Sequence, residues 1–132
     1  MSFDNLRQYC EARMVANWGE SEPVEYENVP LGETPDAFVR FTVITGDSDT
    51  HGMGGSQYTA RDTGMVSLQV FVPEGTGTKR AMELCDAFAA IFEQQRFNGI
   101  TTYIASVTPL GMTGGKWLQR NVTIPFRSVR NV

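Results

Sequence analysis

The residues with the most obvious chemical potential lie between Gly46 and Asp62. His51 is the only histidine of the 132 residues, and Asp47 and Asp49 precede it closely. A carboxylate beside a histidine is an arrangement that general-base catalysis uses. However, no serine or cysteine has the local sequence of an activated nucleophile, and a single histidine excludes a multi-histidine metal site. A solvated loop histidine is therefore the favoured interpretation, and an enzyme built around His51 is the alternative.

Two further patterns resemble ligand-binding loops without completing them. The run that begins at Asp47 starts like a calcium-binding loop, but its twelfth position is Tyr58 instead of an acidic residue. The segment Gly75–Lys79 precedes a helix and could hold an anion at the helix N-terminus, yet it lacks the spacing of a phosphate-binding loop. The sequence predicts no catalytic residue, no metal site and no cofactor.

Composition is that of a globular protein, with 41% hydrophobic and 20% charged residues. The formal net charge of −4 argues against a free-standing DNA-binding domain, which normally has a basic surface. No apolar run approaches the roughly 20 residues of a transmembrane helix, so no membrane partner is expected. Cys10 and Cys85 lie in helical patterns and are interpreted as reduced packing residues of an intracellular protein. The length suits one domain over residues 1–132.

A strand and a helix in the middle of the chain define the predicted core. Apolar residues alternate along the strand, at Val66, Leu68, Val70 and Val72. In the helix, predicted over 78–97, they recur at three- and four-residue spacing: Ala81, Leu84, Cys85, Phe88, Ile91 and Phe92. These two apolar surfaces are expected to pack on each other. A first helix is predicted from Phe3 to Trp18, capped by Ser2 and ended by a left-handed Gly19.

Shorter patterns on either side of this pair predict the rest of the sheet. Strands are expected at residues 24–29, 37–45, 100–109 and 117–126, the last two as a hairpin. The result is a single α+β domain: a mostly antiparallel sheet with the long helix on one face, plus the N-terminal helix. A helix between two strands can also carry a parallel crossover, so a mixed sheet stays open as an alternative.

The segment 46–62 interrupts these elements. Gly, Ser, Asp and Thr dominate it, and no apolar period runs through it. It is interpreted as a flexible loop, in the form of either a long hairpin tip or a mobile arm. Loops of this length in compact domains are usually functional or disordered.

Three blocks of sequence resemble the tail terminator family of long-tailed bacteriophages. They are GETPDAFVRFTVITGD, then GMVSLQVFVPEGTGTKRAMELCDAFAAIF after a polar Gly-rich segment, and the final NVTIPF. The resemblance runs from about Asn28 to Phe126, with the N-terminal helix in the expected place. It rests on pattern and topology, and other head–tail neck and completion proteins of phages share much the same outline. Such a neck protein is therefore the closest alternative, followed by a small ligand-binding or enzymatic α+β domain.

The resemblance implies a structural protein without enzymatic activity or cofactor, encoded by a phage or prophage. Such subunits form a ring, commonly a hexamer. The ring caps the head-proximal end of the tail tube, stops polymerisation of the major tail protein and joins the tube to the head connector. DNA passes through the channel without sequence recognition. The protein would be made in the bacterial host cytoplasm and reside in the neck or tail of the virion.

Four residues are candidates for interface contacts under this ring hypothesis. Tyr58 and Arg61, in the segment 46–62, are candidates for an axial contact. Arg40 and Arg120, on predicted strands, are candidates for contacts between subunits, because arginine is enriched at interfaces. A solvated or ion-paired surface side chain is the alternative for each of them.

Overall fold

The computed structural model describes residues 2–19, 23–26, 37–54, 57–73, 75, 78–113 and 117–131. In those ranges the chain forms two α-helices and one seven-stranded sheet. The elements are α1 (Phe3–Asn17), β1 (Val24–Tyr26), β2 (Phe38–Gly54), β3 (Gln57–Pro73), α2 (Lys79–Phe92), β4 (Arg96–Phe97), β5 (Ile100–Thr102), β6 (Ser106–Thr113) and β7 (Trp117–Asn131). The predicted α+β class is confirmed.

The sheet is antiparallel except at one edge. Its strand order is β1-β2-β3-β7-β5-β4, and β6 pairs with β7 on the same side as β5. The one parallel pair is β1 with β2, so the mixed sheet that the sequence left open is found. It does not come from a crossover through the long helix. The predicted edge strand is β1, of which residues 24–26 pair and residues 27–29 lie outside the described ranges.

Both helices pack on the same face of the sheet, which we call the helix face. The alternating residues predicted for the core lie there: Val66, Leu68, Val70 and Val72 are all fully buried. Phe41 of β2 contacts Phe88 and Phe92 of α2, with ring centroids 6.1 and 5.7 Å away. The apolar face of α1 joins the same cluster through Leu6, Cys10 and Met14. The other side of the sheet, called the opposite face, carries no helix of the described ranges.

Helix α1 begins as predicted and ends differently. The Ser2 hydroxyl accepts from the Asn5 amide at 3.1 Å, and the Asn5 side chain accepts from the Ser2 amide, a reciprocal cap. The expected left-handed Gly19 is wrong, because among the described glycines only Gly75 and Gly99 have positive φ. Trp18 instead ends the helix with its amide bonded to the Met14 carbonyl at 2.8 Å.

Helix α2 ends five residues earlier than predicted. It ends at Phe92, and Gln94 follows with a φ of 50°. Asn98 and Gly99, with φ of 49° and 80°, then form the two-residue turn of a β4–β5 hairpin, as Asn-Gly pairs favour. Phe97 packs on Phe92 with ring centroids 6.1 Å apart, but it does so from β4 and not from the helix.

The predicted C-terminal hairpin is present but divided and longer. Residues 103–105 interrupt the expected strand 100–109, giving β5 and β6, and both halves pair with β7. Strand β7 continues beyond Phe126 through the polar tail to Asn131. Pairing with β3 holds this extension, from Thr63↔Arg127 to Thr59↔Asn131.

The segment 46–62 consists of strand in its described residues. β2 and β3 continue to pair out to Gly54↔Gln57, with register shifts between Thr45 and Ser48 and between Thr50 and Gly52. The segment was predicted to be either a long hairpin tip or a mobile arm, and the hairpin describes this geometry. That the segment is flexible before assembly stays a prediction. Gly64 allows the strands to approach here, because a Cβ at this position would lie 2.2 Å from the Ile44 carbonyl oxygen.

Candidate assembly interface

Three strands extend together beyond the helix-covered part of the sheet. We call residues 46–54 of β2, 57–63 of β3 and 127–131 of β7 the arm. Among its described residues only Ala60, Asp62 and Ser128 are buried. The arm therefore has no apolar core of its own, and polar contacts hold its strands beside one another.

A charged cluster ties the three strands at the root of the arm. Ser48, Asp62 and Ser128 occupy one cross-strand row on the helix face. The Asp62 carboxylate accepts from the Ser48 hydroxyl at 2.5 Å and from Arg130 Nε at 2.7 Å. Its side chain is 6% exposed and that of Arg130 is 22% exposed. A pair this well shielded from water depends strongly on both partners being present.

The same arginine connects the arm to the first helix. Its guanidinium carbon lies 4.7 Å from the centroid of the Phe3 ring, at the start of α1. A cation over an aromatic face is attracted by the ring quadrupole. Arg130 thus links β7 to β3 through Asp62 and to α1 through Phe3, so the position of the arm is coupled to that of the helix.

The two arm residues predicted for an axial contact point to opposite faces. Strand alternation places Tyr58 on the helix face with Ala60 and Asp62, and Arg61 on the opposite face. Tyr58 is 51% exposed. Arg61 donates from Nη2 to Asp49 Oδ2 at 3.0 Å, while its buried Nε has no hydrogen-bond partner among the described residues.

An open depression of about 350 Å³ lies on the arm beside Tyr58. Most of its lining residues are polar in type, but the surface that they present to the depression is mainly apolar. The lining residues are Ser48, Asp49, Thr50, Tyr58, Thr59, Ala60 and Arg130. The depression carries no arrangement of nucleophile and base.

Arg40 and Arg120 are both engaged within the subunit. Arg40, on the opposite face, donates to Glu25 Oε1 at 3.3 Å and Gln69 Oε1 at 3.2 Å. Arg120 lies on the helix face in register with Val70 and donates from Nη1 to the Gln119 carbonyl at 2.9 Å. Arg40 is thus ion-paired within the subunit, and Arg120 is hydrogen-bonded to the main chain. The contacts between subunits predicted for both stay predictions.

The four predicted residues do not form one site. Arg40 and Arg61 share the opposite face, but their positions are eight β3 residues apart, which is about 26 Å at strand spacing. Tyr58 and Arg120 share the helix face at different ends of the sheet. Any contact these residues make must involve several separate regions of the surface.

An exposed apolar row crosses the opposite face at the root of the arm. Ile44, Met65 and Pro125 are cross-strand neighbours on β2, β3 and β7. Tyr103 continues the row, since its amide donates to the Pro125 carbonyl at 2.9 Å. Ile44 is 45% exposed, Met65 36% and Tyr103 39%, and Pro125 is also exposed. We call these four residues the apolar row, and the pairing register of the strands is what brings them together.

Helix α1 has a second apolar surface that faces away from the core. Tyr9, Ala12, Val15 and Ala16 lie on the side of the helix opposite Leu6, Cys10 and Met14. Tyr9 is 36% exposed and Val15 is 66% exposed. We call these four residues the α1 stripe. A helix that is apolar on two sides is typical of one covered on both sides.

The two cysteines offer no reactive thiol. Burial raises the pKa of the Cys10 thiol to about 12 and that of Cys85 to about 11, so both are neutral and poorly nucleophilic. His51 lies in β2, and its side chain falls outside the described set, as do residues 76 and 77 of the possible anion loop. In the described ranges, no three potential metal-ligating side chains cluster. No helix there is both long and apolar enough to span a membrane.

Comparison with known proteins identifies the family of this chain. The sequence model of the phage tail terminator protein family matches residues 5–126 of the 132. The chain belongs to the phage tail terminator family. It is thus a member of a structural family, and its role lies in the assembly of a phage tail, as the sequence resemblance implied.

A solved structure supports the fold of this tail terminator independently. It matches with a TM-score of 0.67 over 97% of this chain and 96% of the other, at 20% sequence identity. At that identity the likeness concerns architecture alone. Among curated protein sequences, none matches the chain.

Proposed function

We propose that this tail terminator forms a ring that caps the head-proximal end of the tail tube. The ring stops addition of the major tail protein and provides the joint to the head connector. Membership of the family supports this role. The observation that carries it is the three-stranded arm, which extends a sheet by paired polar strands without building a core.

Such an arm is suited to docking. Pairing among its three strands, in the described residues, limits the conformational freedom that binding would remove. Its surface offers Tyr58 and Arg61, residue types enriched at protein interfaces. We assign the arm the axial contact with the end of the tube, with Tyr58 on one face and Arg61 on the other.

The charge of the chain fits a channel that DNA crosses without being held. A net charge of −4 disfavours tight binding to the phosphate backbone. In this function the protein contributes surfaces and shape, and the reaction it controls is the addition of tube subunits.

Elongation of the tube tests the cap directly. The major tail protein of the same phage is polymerised with and without the purified chain, and tube growth is followed by light scattering. We expect substoichiometric chain, relative to tail protein, to arrest growth. Tyr58→Ala is expected to weaken the arrest at least several-fold without changing the melting temperature, because Tyr58 is half-exposed and at the surface.

His51→Ala serves as the control for the enzyme alternative. The cap proposal expects this variant to arrest growth as the parent chain does. Unimpeded growth with the parent chain, together with stable binding to connector rings, would instead identify the protein as another neck component.

A further inference from the structure

We propose that neighbouring subunits contact each other helix to sheet, the α1 stripe of one copy packing on the apolar row of the next. This inference rests on the proposed ring, and it names the surfaces that hold the ring together. The helix and sheet surfaces are both defined by exposed apolar residues that the fold of one subunit leaves uncovered.

Among the described residues, no helix or strand packs over the apolar row. Both helices occupy the other side of the sheet, and Ile44, Met65 and Tyr103 are each at least one-third exposed. Scattered apolar residues are ordinary on a protein surface. This row is instead continuous: it crosses β2, β3 and β7 and ends at Tyr103, directly after β5, as expected of a contact surface. Polar side chains border it along each strand, as around the apolar centre of an interface.

The α1 stripe has the properties expected of a surface that packs on the apolar row. Val15 is a β-branched residue at 66% exposure on a helix, where intrinsic propensity gives it no advantage. Small Ala12 and Ala16 beside it allow another surface to approach the helix closely. Tyr9 to Ala16 spans about 10 Å along the helix axis. The apolar row spans about 14 Å across three strand spacings, so the stripe would cover most of its length.

Charge next to the two surfaces is complementary. Arg127 follows Pro125 by two residues on the same face, is exposed and makes no ion pair within the described part of the chain. Along one border of the α1 stripe lie Asp4, Arg7 and Glu11, two carboxylates and one guanidinium, for a net charge of −1. The acidic border of the helix is thus suited to Arg127 of a second copy, which selects another subunit as the occupant.

The position of the surfaces gives the contact a direction. One lies on the helix layer and the other on the far side of the sheet, so a single subunit offers both halves of the contact at different places. Packing of unlike surfaces is heterologous, and it closes a ring when the rotation from one copy to the next is a whole fraction of a turn. Packing of like surfaces, stripe on stripe or row on row, would end at a dimer.

Cysteine cross-linking separates these arrangements. The single variants Val15→Cys and Met65→Cys are prepared, added to tail tubes either alone or mixed, and oxidised mildly with copper–phenanthroline. Native Cys10 and Cys85 are buried with raised pKa values, so the parent chain is the background control. Asp86→Cys, exposed on α2, replaces Val15→Cys in a matched control mixture. Circular dichroism and melting temperature check that each variant is folded.

We expect the mixture of Val15→Cys and Met65→Cys to give a disulfide-linked dimer on non-reducing gels. The yield of this dimer should be at least tenfold higher than from either variant alone. The control mixture of Asp86→Cys and Met65→Cys is expected to give no more dimer than the parent chain. A double variant carrying both cysteines should give a ladder that ends at the ring's copy number.

Other outcomes overturn the inference. Strong cross-linking of Val15→Cys alone would establish a contact between two α1 stripes. Strong cross-linking of Met65→Cys alone would establish a contact between two apolar rows. Background cross-linking throughout, while electron microscopy of the same samples shows rings, would exclude this interface and leave the proposed cap standing. If the parent chain forms no ring on the tubes, the proposed function and the interface both fail.

Discussion

The arm should depend on the Asp62 carboxylate far more than on any other acidic group it contains. Asp62→Ala removes the acceptor for Arg130 and Ser48 together, at a site where only 6% of the aspartate side chain is exposed. Loss of one partner of a fully buried pair costs about 3–5 kcal/mol. Since the Arg130 side chain is 22% exposed and water can reach it, we expect about 2–3 kcal/mol.

Asp49→Ala is the matched control. Asp49 also pairs with an arginine of the arm, at 3.0 Å, but its side chain is 58% exposed and that of Arg61 is 38% exposed. Exposed pairs contribute about 0–1 kcal/mol, so this variant should be nearly as stable as the parent.

Hydrogen exchange measured by mass spectrometry distinguishes a local from a global effect. In Asp62→Ala, amides of residues 46–63 and 127–131 should exchange about 30- to 150-fold faster, the equivalent of 2–3 kcal/mol. Amides of the core strand 66–72 should change much less, because the arm shares few buried residues with the core. Equal effects from Asp62→Ala and Asp49→Ala would refute the view that the buried cluster holds the arm.

Three further predictions concern the body of the subunit. Gly64→Ala places a Cβ 2.2 Å from a β2 carbonyl oxygen and should cost at least about 1–3 kcal/mol in urea unfolding, whereas Gly19→Ala, with nothing within 4 Å, should change little. Cys10 and Cys85 should resist a thiol reagent at pH 8 until the chain is unfolded. Their raised pKa values also mean that stability falls above about pH 9, where the thiols ionise in the unfolded chain but not in the folded one; a flat profile from pH 8 to pH 10.5 would contradict this. Ser2→Ala should cost about 1 kcal/mol by removing the α1 cap, seen as a lower melting temperature, and no change would show that the cap is dispensable.

The core was predictable because its residues obey simple periods. Val66 to Val72 alternate with period two, and the α2 residues from Ala81 to Phe92 follow a helical stripe, so local pattern and burial agree. The Ser2 cap was predictable for a similar reason, since it involves residues only three apart. In these elements the local sequence determines the contacts.

The arm was not predictable as strand because nothing apolar marks its faces. Asp62 and Ser128 are buried polar residues whose partners come from distant parts of the chain, and alternation of polar types leaves no period to detect. The end of α2 was missed because residues 93–97 contain no Gly or Pro that would stop a helix. The local signal of the β4–β5 hairpin is the Asn98-Gly99 turn, which comes only after them.

The candidate interface depends on register, which one sequence does not specify. Ile44, Met65 and Pro125 are neighbours only because β2, β3 and β7 pair as they do. Arg40 and Arg120 were predicted from residue type alone. The hydrogen bonds that they make within the subunit depend on the folded structure. The contacts between subunits predicted for both arginines stay predictions.

Electron microscopy of tail tubes grown in the presence of the chain is the most direct test of the account. It predicts a ring of additional density at one end of each tube, with that end closed to further growth. Tubes with two bare ends, or the chain bound along their sides, would contradict the claim that this protein works by closing on itself and capping the tube.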